Sequence, residues 1–290
     1  MKIIRVGSRE SQLAVVQSQL VIAAIHKTDP ALSVELVTMK TTGDKILDRT
    51  LDKVGGKGLF VKELDAALLA GTVDVTVHSC KDLPMETDPR LPLVGFSKRE
   101  DPRDVLVLPE GVTELDTTKP VGCSSQRRTL QLHKLLPDCA VTSVRGNVQT
   151  RLRKLDSGEY SALVLAAAGL KRLGLEGRIS RYFSADEMLP AAGQGVLAAQ
   201  TRAGEDCDYL RGFLDEEATL CVTAERAFVK EMDGGCSSPI GAYGVLQGDT
   251  LTLEGMDASG NRETISGDKA QAEKLGVTLA LRMKKQVAAV

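Results

Sequence analysis

Val73-Asp74-Val75-Thr76-Val77-His78-Ser79-Cys80-Lys81-Asp82-Leu83-Pro84 decides how the chain is read. Valines at 73, 75 and 77 alternate with shorter polar residues, the period-two pattern of a strand. Pro84 cannot continue a ladder, so the strand ends among His78, Lys81 and Asp82. In open α/β sheets, ligands bind just beyond the carboxyl ends of strands. A carboxylate there, beside a lysine, suits proton transfer or the steadying of a developing cation. The same residues also suit an exposed Lys-Asp pair at a strand end.

The pattern repeats on either side. Residues 3–6 read as a short buried strand running into Gly7-Ser8-Arg9-Glu10-Ser11-Gln12, after which Leu13, Val16, Leu20 and Ala23/Ala24 recur at helical spacing. Strand, small-residue turn and helix start make an anion site of free N–H groups and positive dipole, with Arg9 in the turn. A second strand spans 34–39, before the polar loop Thr41-Thr42-Gly43-Asp44. Lys53-Val54-Gly55-Gly56-Lys57-Gly58 is glycine-rich enough to read as a mobile flap. A helix over 59–70 follows, stopped by Gly71. Alternating strands and helices predict βαβ units and a parallel sheet.

Beyond a strand at 93–96, the charged run Ser97-Lys98-Arg99-Glu100-Asp101-Pro102-Arg103 reads as a crossing into a second lobe, which opens with a strand at 105–108. Val121-Gly122-Cys123-Ser124-Ser125-Gln126-Arg127-Arg128 repeats the strand-turn-helix device, with its helix over 130–136. Residues 141–144 repeat it again, with Arg145-Gly146-Asn147 entering a helix that Asn147 caps and that carries Arg151 and Arg153. Residues 162–168 form a continuous apolar strand, followed by Lys171 and Arg172. Pro190-Ala191-Ala192-Gly193-Gln194-Gly195 is the return crossing, and 196–199 is again a strand. From 215 the character changes to an amphipathic helix (216–231), short strands at 242–246, 251–256 and 263–265 joined by hairpins, and a helix from about 269. The expected architecture is two α/β lobes of the periplasmic-binding-protein kind with a central cleft, plus a small α+β domain. Residues 1–98 with 196–214 form the first lobe, 99–195 the second, and 215–290 the third domain.

Composition narrows the function. With a formal net charge of −2 over 290 residues, the chain has no bulk basic field for nucleic acid or an anionic membrane, so any anion site is a local arrangement of Arg and Lys. No apolar run approaches a membrane span, and the N-terminus enters a strand at once, without the apolar core of a signal peptide. Six cysteines show no CxxC and no metal-ligand spacing with the three histidines, which points to a reduced cytoplasmic protein without a metal. There is neither a Walker lysine motif nor a GxGxxG after a strand. Arg9, Arg127, Arg128, Arg145, Arg151 and Arg172 all fall at strand-to-helix junctions or on first helical turns, where their planar forks suit carboxylate or phosphate. Each is equally at home as a solvated surface residue. Cys236 follows Gly234 and Gly235 in a loop, where a reactive thiol is exposed; a small residue in a tight turn is the alternative.

Taken together, Gly7-Ser8-Arg9-Glu10-Ser11, Lys57-Gly58-Leu59-Phe60-Val61-Lys62-Glu63-Leu64, His78-Ser79-Cys80-Lys81-Asp82-Leu83-Pro84, Ser124-Ser125-Gln126-Arg127-Arg128, Arg145-Gly146-Asn147-Val148, Gly193-Gln194-Gly195 and Gly234-Gly235-Cys236 resemble the porphobilinogen deaminase (hydroxymethylbilane synthase) family along nearly the whole chain. The resemblance implies a transferase that joins four porphobilinogen units head to tail, losing ammonia at each step, before water releases the linear tetrapyrrole. It implies a dipyrromethane cofactor on Cys236 through a thioether and Asp82 as catalytic carboxylate. Asp44, Lys81, Ser124, Ser125, Arg127, Arg128, Arg145 and Asn147 are the implied cofactor-binding residues. Arg9, Ser11, Arg145, Arg151, Arg172 and Gln194 are the implied substrate-binding residues, with Lys57 and Phe60 on the flap. A monomer is implied, with no nucleic-acid or membrane partner. Departures from the family pattern are Cys123 in place of Thr or another small residue, Gln126 in place of Leu, and Gln12 in place of Pro. A bilobed anion receptor would share the lobes but needs neither Asp82 nor a glycine-flanked thiol. A thiol-redox enzyme lacks a resolving cysteine near Cys236.

Overall fold

The computed structural model describes residues 3–42, 61–235 and 238–288. Asp44, the glycine-rich stretch with Lys57 and Phe60, and Cys236 lie outside the described residues. The chain divides into two compact units, Met1–Arg99 with Val196–Thr219, and Glu100–Gly195 with Leu220–Val290.

In the first unit, β1 (Ile3–Arg9), α1 (Gln12–Thr28), β2 (Ser33–Met39), α2 (Lys62–Leu69), β3 (Val75–Ser79) and β4 (Leu93–Phe96) follow in order. The β3 strand begins two residues later than the valine alternation predicts. Val73 instead lies buried in the turn, packed with Leu68 and Leu91. Residue parity sorts the two sheet faces. Ile4, Val6, Val75 and Val77 pack with Val21 and Ile25 of α1, whereas Val37 and Met39 join the cluster under α2.

The second unit contributes β5 (Asp104–Val107), β6 (Val121–Gly122), α3 (Gln126–Leu135), β7 (Val141–Thr142), α4 (Val148–Asp156), β8 (Ala162–Ala166), α5 (Ala167–Arg172) and β9 (Arg181–Tyr182). The apolar run predicted as strand through 168 is β8 only to Ala166. Ala167-Ala168-Gly169-Leu170 then winds into α5, because a short apolar run does not tell a buried strand from a buried helix. After it come β10 (Leu197–Gln200) in the first unit, α6 (Glu216–Glu231), β11 (Gly241–Gln247), β12 (Thr250–Met256), β13 (Arg262–Asp268) and α7 (Ala272–Ala288).

The two larger sheets share one plan. Their orders are β2-β1-β3-β10-β4 and β7-β6-β8-β5-β9, each a parallel triple followed by an antiparallel strand and an edge strand. The expectation of a parallel sheet is corrected accordingly. In each sheet the first antiparallel strand is the one formed just after the chain crosses between units. β10 pairs with β3 (Ala198 opposite His78), and β5 pairs with β8 (Leu106 opposite Val164). In the second unit Leu106, Val121 and Val164 face Leu132 of α3, while Val105, Val107, Leu163 and Leu165 face α4 and α5. The third sheet, β11-β12-β13, is an antiparallel meander whose first turn is Gly248-Asp249. The helices α6 and α7 touch closely: a Cβ at Gly276 would lie 2.3 Å from the Ala224 carbonyl oxygen.

Candidate active site

Parallel neighbours present their carboxyl ends at one sheet edge, which in the first unit brings together the ends of β1 and β3. β1 ends at Arg9, and Ser11 caps α1 by accepting the Ala14 N–H at 3.4 Å. β3 ends at Ser79 and continues as a single 3-10 turn, Cys80–Asp82. Cys80 is fully buried and donates its N–H to the Val196 carbonyl at 3.0 Å, so the turn is fastened to the returning chain. Lys81 is half-buried and Asp82 exposed, with no bond from the Asp82 carboxylate to another described residue. The turn is buried and bonded at its root and carries its carboxylate outward.

His78 is buried beneath this edge. Its Nε2 lies 2.9 Å from Thr76 Oγ1 and 3.1 Å from Gln200 Oε1. Gln200 donates its own amide to the Leu91 carbonyl, so its Oε1 faces the ring and Nε2 carries the proton. Burial, opposed by the Gln200 bond and reinforced by the Arg9 charge, lowers the imidazole pKa to about 4. His78 is therefore neutral at pH 7 and serves as a strut between β3 and β10.

In the second unit, the parallel triple gathers the remaining predicted residues at its carboxyl edge. Ser124 donates to the Val144 carbonyl and accepts the Val144 N–H at 3.1 Å, lacing the turn after β6 to the turn after β7. Ser125 caps α3 and Asn147 caps α4, the latter accepting the Thr150 N–H at 2.9 Å. Arg151 Nε donates to the Gly146 carbonyl. Arg145 is half-buried and bonds no other described residue. Arg172, at the end of α5, donates to the Gly195 carbonyl at 2.6 Å; burial lowers its pKa to about 10, against the pull of Glu100. It is still cationic at neutral pH.

Arg127 and Arg128 are placed differently. Both are nearly fully buried, and both turn onto Asp104, which is 0% exposed. Arg127 Nη2 approaches Asp104 Oδ2 at 2.8 Å, and Arg128 holds Oδ1 through Nη2 at 2.7 Å and Nε at 2.9 Å. Gln194 adds its Nε2 to the same Oδ1 at 2.8 Å. Burial pushes the Arg127 pKa down, and the Asp104 charge opposes it. One carboxylate shared by two guanidiniums leaves the cluster with net positive charge, in keeping with anion chemistry at its rim. Cys123 is buried, with its thiol directed to the Ser125 carbonyl at 3.6 Å, so this departure from the family pattern is accommodated inside the turn.

Sequence reading missed Asp104 and Glu225. A charged residue directly before the apolar run 105–108 was the available signal for the first. The second lies in the middle of the buried stripe of α6, four residues after Cys221 and three before Phe228. That stripe runs through Cys221, Val222, Ala224, Phe228 and Val229, with Leu220 and Ala227 only half-buried beside it. The glycine loop after α6 is anchored on both sides of residues 236–237. Ser238 Oγ donates to the Gly235 carbonyl at 2.7 Å and accepts the Gly235 N–H at 3.0 Å.

Two family models cover the chain. "Porphobilinogen deaminase, dipyromethane cofactor binding domain" matches residues 4–208, and "Porphobilinogen deaminase, C-terminal domain" matches 219–285. A porphobilinogen deaminase of Acetivibrio thermocellus is 59% identical over 286 residues, covering 97% of this chain and 98% of its own. One from Ruminiclostridium cellulolyticum is 57% identical over 289 residues, covering 98% of each. Among solved structures, the effector binding domain of a BenM variant aligns with 73% of this chain and 91% of its own, at 15% identity and a TM-score of 0.40.

Proposed function

The chain belongs to the porphobilinogen deaminase family, and on that premise we propose that it polymerises porphobilinogen. Four molecules are joined head to tail with loss of ammonia into the linear tetrapyrrole hydroxymethylbilane, on a covalently bound dipyrromethane. Each join breaks the aminomethyl C–N bond, whose electrons leave with ammonia, and forms a C–C bond at a pyrrole α-carbon that gives up its proton. Water closes the sequence by supplying the terminal hydroxyl.

The dipyrromethane, when bound, supplies the pyrrole α-carbon on which the first unit is placed. Its fit is tested by the donor set. Its acetate and propionate groups need fixed cations and hydroxyl or amide donors. The carboxyl edge of β7-β6-β8 offers Arg145, Ser124, Ser125, Asn147 and Arg151, backed by the net-positive Arg127–Asp104–Arg128 cluster. The residues present fit the group. Cys236 is the attachment residue in this reading, Asp44 and Lys81 contribute to holding the cofactor, and Lys57 and Phe60 belong to a covering flap. Arg9, Ser11, Arg145, Arg151 and Arg172 serve the substrate's carboxylates, whereas Gln194, expected among them, is fully buried with its amide on Asp104 and the Pro102 carbonyl and acts from within the scaffold.

The observation that carries the reading is the Asp82 carboxylate, exposed at the end of a buried strand and bonded to no other described side chain. A carboxylate so placed is available to face the cationic methylene-pyrrole left when ammonia departs and to accept the pyrrole N–H. Fixed charge aimed at a developing cation typically contributes about 100- to 1000-fold in rate. Arg9, across the same sheet edge, supplies a counter-charge for substrate carboxylate. The chain acts as a cytoplasmic monomer of three domains, split at 98/99, 195/196 and 214/215, with no nucleic-acid or membrane partner. No described helix is long and apolar enough to cross a membrane, and a net charge of −2 offers no bulk basic field to nucleic acid. Denatured intact mass tests the function: the chain should carry two pyrrole units, and the Cys236→Ala variant none. A bare polypeptide from a preparation that turns over porphobilinogen would refute covalent attachment, and gel filtration tests the monomer.

A further inference from the structure

The Pro190–Gly195 stretch, read from sequence as a crossing, is a buried junction at which four elements of the second unit meet. Just before it, the Leu189 carbonyl accepts Arg127 and Gln131 of α3, while the Leu189 N–H is held by Gln131 Oε1 at 2.7 Å. The Pro190 carbonyl accepts the Ala242 N–H of β11 at 3.0 Å. Gly193 and Gly195 take φ of 70° and 85°, conformations that favour glycine, so the stretch turns back on itself. The turn presents the Gly193 N–H to Glu225 Oε2 at 2.7 Å, and Glu225 Oε1 accepts the Gly244 N–H at 2.8 Å. The next residue, Gln194, reaches the other way to Asp104 at 2.8 Å and to the Pro102 carbonyl at 2.6 Å. Glu225, Gln194 and Asp104 are each 2% exposed or less.

We propose that Glu225 is a positioning residue for cofactor loading, fixing the arginine pair relative to the helix that leads to Cys236 through the series Glu225, Gly193-Gln194, Asp104, Arg127 and Arg128. This rests on the proposed function above. The α6 helix carries Glu225 and ends at Glu231, five residues before the thiol. Without the Glu225 anchor, the turn loses the bond that fixes Gly193, the residue directly before Gln194. Gln194 then no longer orients Asp104, and the buried Arg127–Asp104–Arg128 cluster no longer backs the turns that carry Ser124, Ser125 and Arg145. A fully buried carboxylate accepting two backbone N–H groups from separate elements is a costly feature to retain for packing alone. Loading itself exchanges one bond for another. The Cys236 sulfur bonds the methylene carbon of porphobilinogen, the C–N bond breaks, and the thiol proton leaves with the amine as ammonia.

The test is loading of the full chain, prepared without porphobilinogen and then given it, followed by denatured intact mass against time. The Glu225→Gln variant keeps its shape but sets an NH2 group against one of the two N–H donors. It should load roughly tenfold more slowly than the parent, and Glu225→Asp, which keeps the charge, should recover part of that rate. Asp74→Asn, which weakens the Arg5–Asp74–Arg202 cluster in the first unit, provides a destabilised control that should load at the parental rate. Parental loading by Glu225→Gln overturns the proposal, as does equal slowing of Asp74→Asn at matched melting temperature. If Glu225→Gln does not fold, Gln194→Leu, which cuts the series at its next link, decides by the same criterion. A parent chain that gains no mass at Cys236 refutes the attachment reading instead, so the two failures are distinguishable.

Discussion

Gln17 and Ser79 clasp one another beneath the turn that carries Asp82: the Gln17 amide donates to Ser79 Oγ at 2.9 Å, and that hydroxyl donates back to Gln17 Oε1 at 3.2 Å. Gln17 is a buried residue of α1, 4% exposed, and Ser79 is the last residue of β3. The position of Asp82 is thus set by a helix on one side and, through the Cys80 N–H, by the returning strand segment on the other. Replacing Gln17 by leucine removes both bonds and leaves the Ser79 hydroxyl without its partner. We expect kcat to fall about tenfold with KM nearly unchanged, because small misplacements of a reacting group are costly. Steady-state kinetics checks this, and an unchanged kcat would reduce the clasp to packing.

Asp82→Asn separates catalysis from folding. The side chain is exposed and bonds no other described residue, so its amide should leave the denaturation midpoint within about 0.5 kcal/mol of the parent. Turnover should drop by at least about 100-fold, since the amide offers no charge to the cationic methylene-pyrrole. Parallel urea unfolding and single-turnover ammonia release measure the two effects. Loss of stability together with activity would make Asp82 structural.

Much of this was legible from local pattern. The strand-turn-helix device at Arg145 places the cap Asn147 where the structure has it, because capping is decided within four residues, whereas Ser11 and Ser125 read only as turn residues and the helix that Ser125 caps starts at Gln126 rather than at 130. Hidden were relationships between distant residues. Nothing near Arg127 and Arg128 announces Asp104, over twenty residues upstream, so the two arginines look as available as Arg145. Nor does periodicity give strand direction: β5 and β10 read as ordinary apolar strands, and only the chain's crossing between units makes them antiparallel.

Acid should weaken the fold through His78. Its folded pKa of about 4 lies below the ordinary 6.5, so the unfolded chain binds a proton that the native one refuses. The neutral-ring contribution is complete above pH 6.5 and is lost as pH falls from there toward 4. At most this amounts to about 3 kcal/mol. Urea unfolding at pH 7 and pH 4.5 measures it, and His78→Gln should flatten the dependence. An equal slope in that variant would assign the acid sensitivity elsewhere.

The site arginines should divide by what holds them. Arg128 spans Asp104 and the Val164 carbonyl with three nitrogens, a geometry that a lysine ammonium cannot reproduce. Arg128→Lys should therefore lose about 3 kcal/mol of stability, as expected when a buried charge cluster is broken. Arg145 bonds no other described residue, so Arg145→Lys should shift stability by less than about 0.5 kcal/mol. Its loss should appear instead as a roughly tenfold higher KM, because a bidentate fork on a substrate carboxylate becomes a single ammonium. Denaturation midpoints and KM measured on both variants give a crossed pattern if the division holds. A destabilised Arg145→Lys with parental KM would place that arginine in the scaffold with Arg128.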